Sequence, residues 1–245
     1  MMNRRTFLAR AGAAIAWIAV SVTTVSFGEE QWVDFLEDGL TRWQDSRGWK
    51  TGDEVVVHPD NETELSVSKP GKAIAMVGTK SRAVYLLSKD MHGDIEALIE
   101  FMIPKGSNSG IYFMGRYELQ VYDSYGKTEV HHLDCGGIYQ RWGKHQDQGH
   151  PPAVNASTAP GTWQIFEVVF RAPRFDENGR KTENAKFVKV VHNGTQIHEN
   201  VEVTGPTRSA MKERQPEEPK GPLRIQGDHG AVAYRTIKIR HITLE

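Results

Sequence analysis

Apolar and polar residues alternate along several short stretches of the chain, most regularly from Ile95 to Ile103. Every second residue of that stretch is apolar, beginning with Ile95, and two of the positions between are Glu96 and Glu100. The stretch Tyr117–Tyr122 alternates in the same way. Successive side chains of a β-strand point to opposite faces, so a period of two predicts two strands that each bury one face.

Other runs rich in β-branched and aromatic residues extend this pattern along the chain. They are Ile165–Phe170, Ala185–Val191, Thr195–Val201, Leu223–Gln226 and Ala233–Leu244. Two of these runs flank Asn193 and Gly194, a pair typical of the two-residue β-hairpin. No long helical period follows Gly28, so we predict an all-β fold, a two-sheet antiparallel β-sandwich, in one domain spanning residues 29–245.

One long segment, Ser124–Thr162, contains few apolar residues and is rich in Gly, His and Pro. It lies between predicted strands, so we expect a long ordered loop. Long ordered loops in compact domains are usually functional.

Composition excludes some classes of function. The 245 residues carry a formal net charge of −1, so no basic field favours nucleic acid as a partner. Cys135 is the only cysteine, which excludes an intramolecular disulfide and a Cys-x-x-Cys metal or redox motif.

The first residues resemble a twin-arginine export signal. Arg4 and Arg5 are followed by Thr6, Phe7 and Leu8, and then by a mildly apolar stretch rich in Ala, Ser and Thr. We interpret residues 1–28 as a cleaved signal peptide, which predicts a periplasmic or secreted protein with no stable membrane span after cleavage. An uncleaved membrane anchor is the alternative, because the apolar stretch is marginally long enough.

Polar residues on the predicted strands are candidates for chemistry. If Tyr117, Leu119 and Val121 face the core, Glu118 and Gln120 share the other face, and Asp123 follows at the strand end. An ordinary solvated face is the alternative interpretation.

Candidates in turns and loops are weaker. Asn108 precedes the strand that starts at Ile111, and it also fits a plain turn residue. Gln226 and His229 lie between two strands, with His229 close to two glycines. The loop histidines have no strong metal-ligand spacing, so we interpret His131, His132, His145 and His150 as solvated.

Taken together, these segments resemble a known family. The order of the segments carries the resemblance: Gly93–Glu96, Asn108–Phe113, Tyr117–Asp123, Gly137–Tyr139, Gly161–Gln164, Gly221–Gly230 and Tyr234–Ile239. They are similar to the 3-keto-disaccharide hydrolase domain, also described as 3-keto-glucoside 1,2-lyase/3-keto-2-hydroxyglucal hydratase. The resemblance covers Trp32 to Leu244 and implies a concanavalin A-like jelly roll. The insert Arg174–Glu183 is longer than is usual in the family, which predicts an extended hairpin.

The resemblance implies a carbohydrate-active enzyme that cleaves or hydrates 3-keto-glycosides. A ketone at C3 of a hexose acidifies the C2 proton, so a carboxylate or histidine base can remove it and the C1 group leaves by elimination. The candidate base, acid and metal-binding groups are Glu118, Asp123 and His229. The candidate substrate-binding residues are Asn108, Tyr112, Gln120, Tyr139, Gln226 and Arg235. The family's association with a divalent metal implies Mn²⁺, Mg²⁺ or Ca²⁺, which suit oxygen ligands.

Two other functions stay open at this stage. A lectin-like carbohydrate-binding domain without catalysis fits the same fold, because jelly rolls host both classes. It predicts a shallow aromatic surface with the acids apart, whereas an enzyme predicts that the acids converge in one pocket. A conventional endo-glucanase is disfavoured, since no Glu-x-Asp-x-x-Glu string is present.

Overall fold

The computed structural model describes residues 31–78, 83–143 and 149–245. The predicted signal peptide and His145 lie outside the described residues. Within them, no helix is long and apolar enough to cross a membrane.

The described residues form fourteen strands. In chain order they are β1 (Val33–Asp34), β2 (Lys50–His58), β3 (Asn61–Met76), β4 (Leu86–His92), β5 (Ile95–Met102), β6 (Asn108–Phe113), β7 (Tyr117–Tyr122), β8 (Gln164–Arg171), β9 (Arg174–Phe175), β10 (Lys181–Glu183), β11 (Ala185–His192), β12 (Thr195–Val203), β13 (Gly221–Ile225) and β14 (Val232–His241).

Two antiparallel sheets form the sandwich. The larger has eight strands, in the order β12-β11-β8-β5-β14-β3-β2, with β1 paired to β14. The smaller has four strands, in the order β4-β13-β6-β7. This arrangement confirms the predicted all-β jelly roll, and the predicted extended hairpin is present as the separate pair β9-β10.

Strand β5 shows why the sequence specifies the larger sheet. Ile95, Ala97, Ile99 and Phe101 are buried, while the residues between them are half-buried. Ile99 lies opposite Ile237 of β14 and Phe166 of β8, so β5 is central in its sheet. The period-two prediction is confirmed, although the strand ends at Met102 rather than Ile103.

Aromatic side chains join the two sheets. Phe113 of the smaller sheet lies 5.2 Å from Phe170 and 5.3 Å from Phe187 of the larger, measured between ring centroids. Tyr117 also contacts Phe170, at 5.6 Å. Burying each such ring contributes about 1.5–3 kcal/mol, and edge-to-face geometry adds to it. These contacts hold the inner faces of β6 and β7, which leaves their outer faces for other roles.

The hairpin predicted at Asn193 and Gly194 is confirmed. Both residues have positive φ, 50° and 79°, as a two-residue turn with the twist of its strands requires. The turn places His192 opposite Thr195 and starts the β11-β12 pair.

Candidate active site

The outer face of the smaller sheet carries a row of polar side chains across three strands. Glu118 on β7 lies opposite Tyr112 on β6, and Tyr112 lies opposite Arg224 on β13. The neighbouring positions Leu119, Ile111 and Ile225 are buried in the core. Because side chains alternate along a strand, Glu118, Tyr112 and Arg224 point to the outer face. The predicted sharing of one face by Glu118 and Gln120 follows from the same alternation.

This outer face is not exposed to solvent. Glu118 and Gln120 each retain only 3% of their accessible surface, so the alternative of an ordinary solvated face is wrong. The long loop covers it: the Tyr139 N–H donates to the Glu118 carbonyl at 3.1 Å, and the Gln120 N–H donates to the Gly137 carbonyl at 2.8 Å. The predicted loop is therefore ordered in its described residues, and it adds a strand-like edge to β7.

A cavity of about 400 Å³ opens on this face. Its walls include seven of the residues predicted from the sequence, namely Glu118, His229, Asn108, Tyr112, Gln120, Tyr139 and Gln226. They come from β6, β7, the long loop and the turn after β13. Asn108 belongs to strand β6, which corrects its interpretation as a turn residue.

Two predicted residues lie elsewhere. Asp123 accepts a hydrogen bond from the Gly106 N–H at 2.8 Å and does not line the cavity. It follows β7 directly and stabilises the turn before β6. Arg235 lies on the outer face of the larger sheet, where it pairs with Glu100 at 2.8 Å and stacks on Trp163 at 4.8 Å. The expected convergence in one cleft does not include these two residues.

The carboxyl group of Glu118 is fully buried at the base of the cavity. Burial raises its pKa to about 8, while a hydrogen bond with Tyr112 and the positive charge of Arg224 oppose that rise. Tyr112 is buried beside it and its pKa is raised well above the usual value. At neutral pH the protonated form of Glu118 therefore dominates.

Gly110 makes room for this carboxyl group. It lies opposite Gln120 in the β6-β7 register, and a β-carbon added there would overlap the Glu118 side chain. The Glu118 carboxyl group can occupy this position only because residue 110 is a glycine, which has no side chain.

The amide groups of the cavity are only partly satisfied. Gln120 donates to Asn108 Oδ1 and to the Leu133 carbonyl, both at 3.2 Å, and Gln226 donates to the Tyr85 hydroxyl at 3.3 Å. Both Gln120 Oε1 and Gln226 Oε1 are buried without a hydrogen-bond partner among the described residues. Unpaired buried acceptors are costly, so two such oxygens in one cavity suit a ligand that supplies hydroxyl donors.

His229 forms the more exposed side of the site. Its Nδ1 atom lies 2.6 Å from Asp228 Oδ1 and 2.9 Å from Gln226 Nε2. In the tautomer whose Nδ1–H donates to the Asp228 carboxylate, Nε2 is the basic nitrogen of the ring. The side chain of His229 is 54% exposed, so this nitrogen is accessible to an entering ligand.

Sequence reasoning missed several residues of the site. Tyr85, Arg208, Ser209 and Asp228 also line the cavity, and Arg224 lies 3.8 Å from the Tyr85 ring centroid and 4.7 Å from that of Tyr112. Arg224 alternates with the core residues Leu223 and Ile225, so the strand pattern was a signal that could have identified it. Tyr85 and Arg208 lie in irregular segments, where no period indicates a direction.

The predicted metal ligands do not come together. Glu118 and His229 share the cavity, but Asp123 lies outside it, and the described residues include no group of three His, Cys, Asp or Glu side chains arranged to hold a metal. This donor set does not fit a divalent cation, and the chemistry below uses protein groups alone.

A larger depression of about 770 Å³ lies between Gly93 and the segment His241–Leu244. Two of its charged groups are already paired, since Arg174 contacts both oxygens of Asp94 at 2.7–2.8 Å. Arg174 also donates to the Leu244 carbonyl, so this region anchors the last residues. The smaller cavity, with its unpaired acceptors, is the candidate active site.

The fold is a jelly roll, and the family of the chain makes it a carbohydrate-active one. The model of the family described as the 3-keto-alpha-glucoside-1,2-lyase-like domain matches residues 31–240, and the chain belongs to this family. This confirms the resemblance found in the sequence.

Similar solved structures share the fold. A provisionally named glycosyl hydrolase from Parabacteroides distasonis is 21% identical, with a TM-score of 0.60 and coverage of 86% of this chain and 84% of the other. A second protein of that provisional name from the same organism is 18% identical, with a TM-score of 0.53 and coverage of 86% and 100%. No curated protein matches the chain.

Proposed function

We propose that this protein cleaves α-linked 3-keto-glucosides, by eliminating the C1 substituent and then hydrating the product. Membership of the 3-keto-alpha-glucoside-1,2-lyase-like family supports the substrate class. The observation that carries the proposal is the buried acid Glu118, whose pKa is raised to about 8 in a cavity that also contains the His229–Asp228 pair. A buried acid with a raised pKa and a histidine oriented by a carboxylate in one site are typical of acid–base catalysis.

In the first step His229 acts as the base. With its Nδ1–H held by Asp228, Nε2 removes the proton from C2 of the 3-keto sugar. The C2–H electrons form a C2=C3 double bond, and the negative charge moves to the C3 oxygen. The ketone makes this proton acidic enough for a neutral imidazole to remove.

The charge on the C3 oxygen needs a cation. Arg208 lines the cavity and forms no ion pair with an acid among the described residues. We assign Arg208 to this oxygen, because a guanidinium in a partly dry site stabilises a developing oxyanion without rearrangement. Asn108, Gln120 and Gln226 bind the sugar hydroxyls.

In the second step Glu118 acts as the acid. The C3=O bond re-forms, the electrons of the C2=C3 bond form a C1=C2 double bond, and the C1–O bond breaks. Glu118 donates its proton to the leaving oxygen. The resulting carboxylate is stabilised by Tyr112 and Arg224. For hydration the roles reverse: Glu118 takes a proton from the water that attacks C1, and protonated His229 returns a proton to C2.

Turnover of an α-linked 3-keto-glucoside by wild type, Glu118→Gln and His229→Asn tests this proposal. Each variant should lower kcat by about 100-fold or more, the usual scale for losing an acid or base. Glu100→Gln is the matched control, because it removes a carboxylate from the larger sheet and should leave kcat unchanged.

The pH profile provides a second readout. Since the reaction needs protonated Glu118, kcat/KM of the wild type should fall as pH rises through about 8, and Glu118→Gln should lack that limb. Chelation in the same assay tests the predicted dependence on a divalent metal. Wild-type protein that binds the sugar without turning it over would instead support the lectin-like alternative.

A further inference from the structure

Residues 204–217, between β12 and β13, form an irregular segment that reaches the candidate active site, and we call it the Arg208 segment. Its residues Arg208 and Ser209 line the cavity. Two of its residues other than glycine, Ser209 and Lys212, have positive φ, 64° and 49°. This conformation is unfavourable for a residue with a side chain, so it persists only where surrounding contacts hold it. The position of Arg208 therefore depends on what holds the Arg208 segment.

The side chain of Arg116, in the turn between β6 and β7, holds the second half of the Arg208 segment. It is buried, with 3% of its surface accessible, although it carries a positive charge. Its guanidinium donates to three backbone carbonyls of the segment, those of Lys212 at 3.1 Å, Gln215 at 3.3 Å and Pro216 at 2.7 Å. The Thr207 N–H in turn donates to the Arg116 carbonyl at 2.8 Å. Hydrogen bonds from a charged donor are strong, so Arg116 fixes the path of the segment.

An ion pair joins the two ends of the Arg208 segment. Lys181 of β10 donates to the Thr204 carbonyl at 3.2 Å and to Glu217 Oε2 at 2.5 Å. The Tyr117 hydroxyl donates to the other carboxylate oxygen of Glu217. The side chain of Glu217 is 10% exposed and that of Lys181 is 25% exposed, so water screens this pair less than it screens a surface pair. The extended hairpin β9-β10 thus reaches both the first and the last residue of the segment.

We infer that Lys181 and Glu217 are positioning residues, whose ion pair holds the Arg208 guanidinium where the C3 oxyanion forms. The inference rests on the proposed function, which assigns Arg208 to this oxygen. Neither residue of the pair lines the cavity, so both act through the segment that they close. A preorganised donor stabilises a developing charge only at the right place, and a displacement of about 1 Å can cost about 100-fold in rate.

Double-mutant cycles with Arg208 test the inference. Turnover of an α-linked 3-keto-glucoside is measured for Glu217→Gln and Lys181→Gln, each alone and combined with Arg208→Gln. Glu218→Gln is the matched control, because it removes the adjacent carboxylate, which belongs to an exposed pair with Lys212 at 3.2 Å. Lys181→Arg retains the cation and is the conservative variant.

In the wild-type background, Glu217→Gln and Lys181→Gln should each lower kcat by about tenfold, because the guanidinium is displaced rather than removed. Arg208→Gln should lower kcat by about 100-fold or more. In that background the other two substitutions should each lower kcat further by less than about twofold, since no guanidinium remains to be positioned. Lys181→Arg should keep most of the activity, and Glu218→Gln should keep all of it.

Limited proteolysis gives a readout that needs no substrate. Lys212 and Arg214 are exposed trypsin sites within the segment. Cleavage there should be about fivefold faster or more in Glu217→Gln and Lys181→Gln than in Glu218→Gln, because the segment opens locally once its ends are no longer joined.

Equal losses of kcat in both backgrounds would show a purely structural role and overturn the inference. Unchanged kcat in both single variants, or unchanged cleavage by trypsin, would overturn it too while the proposed function stands. If the wild type does not turn over the substrate, the proposed function fails and this inference fails with it.

Discussion

At the scale of single residues, burial of the Glu118 carboxyl group in the cavity lowers the free energy of unfolding. A carboxyl group with an ordinary pKa near 4.5 is buried so that its folded-state pKa rises to about 8. Nothing in the sequence around Glu118 indicates this burial, because the covering atoms come from the long loop and from Thr207, eighty-nine positions away.

The raised pKa predicts a pH-dependent effect of Glu118→Gln on stability. Between pH 4.5 and about 8 the unfolded chain has released this proton and the folded chain still holds it, so rising pH favours unfolding. The variant lacks this penalty. The Tm of Glu118→Gln minus the Tm of the wild type should therefore increase with pH across that window and stay constant above it.

Thermal unfolding of both proteins from pH 4 to pH 9 measures this difference. Comparing the two proteins at each pH removes the contributions of all other groups that titrate alike in both. A Tm difference that does not vary with pH would show that the Glu118 carboxyl titrates as it does in water.

At the scale of elements, the strands that bury one face regularly were predictable from the sequence, and the strands with irregular burial were not. The prediction for β7 is confirmed to the residue, and β5 and the β11-β12 hairpin follow their predicted ranges closely. The edge pair β2-β3 was not predicted, since its burial is irregular and Pro70 and Gly71 interrupt β3. The long loop was predicted as functional, but its pairing with β7 depends on contacts that no local pattern encodes.

The hairpin turn has a second task, which predicts the effects of two substitutions. Asn193 accepts a hydrogen bond from the Ile165 N–H and donates one to the Ala156 carbonyl, both at 2.9 Å, so it ties the long loop to the larger sheet. Asn193→Gly should lower the free energy of unfolding by about 1–3 kcal/mol through these lost bonds.

Asn193→Ala should be more destabilising than Asn193→Gly by about 1 kcal/mol, because Ala also disfavours the φ of 50°. Denaturant unfolding of the three proteins gives the order. Equal stability of the two variants would mean that the turn conformation contributes nothing.

At the scale of the whole molecule, three buried histidines contribute to its response to acid. His92, His192 and His198 each have a pKa lowered to about 4, mainly because burial disfavours the charged ring. The unfolded chain binds these protons near pH 6.5 and the folded chain only near pH 4. Stability should therefore fall as pH drops through that window.

Urea unfolding at steps between pH 7 and pH 4 tests this expectation. His192→Gln retains a donor and an acceptor toward Gln164, and it should make the fall in stability shallower. A slope equal to that of wild type would assign the acid response to other groups.

Export is the remaining prediction for the whole chain, and its residues lie outside those the structure describes. We propose that the Arg4–Arg5 pair directs the protein to the periplasm or beyond. Replacing both with Lys should retain it in the cytoplasm, because the export machinery reads that pair. Cell fractionation measures this, and normal export of the variant would refute the proposal.

Gly110, which lies beside the Glu118 carboxyl group, limits what this cavity can contain. Because a methyl group at position 110 would overlap the Glu118 side chain, Gly110→Ala should displace the carboxyl group to which we assign the role of acid. The size of the residue at position 110 therefore determines whether this fold can hold an acid at the position of Glu118.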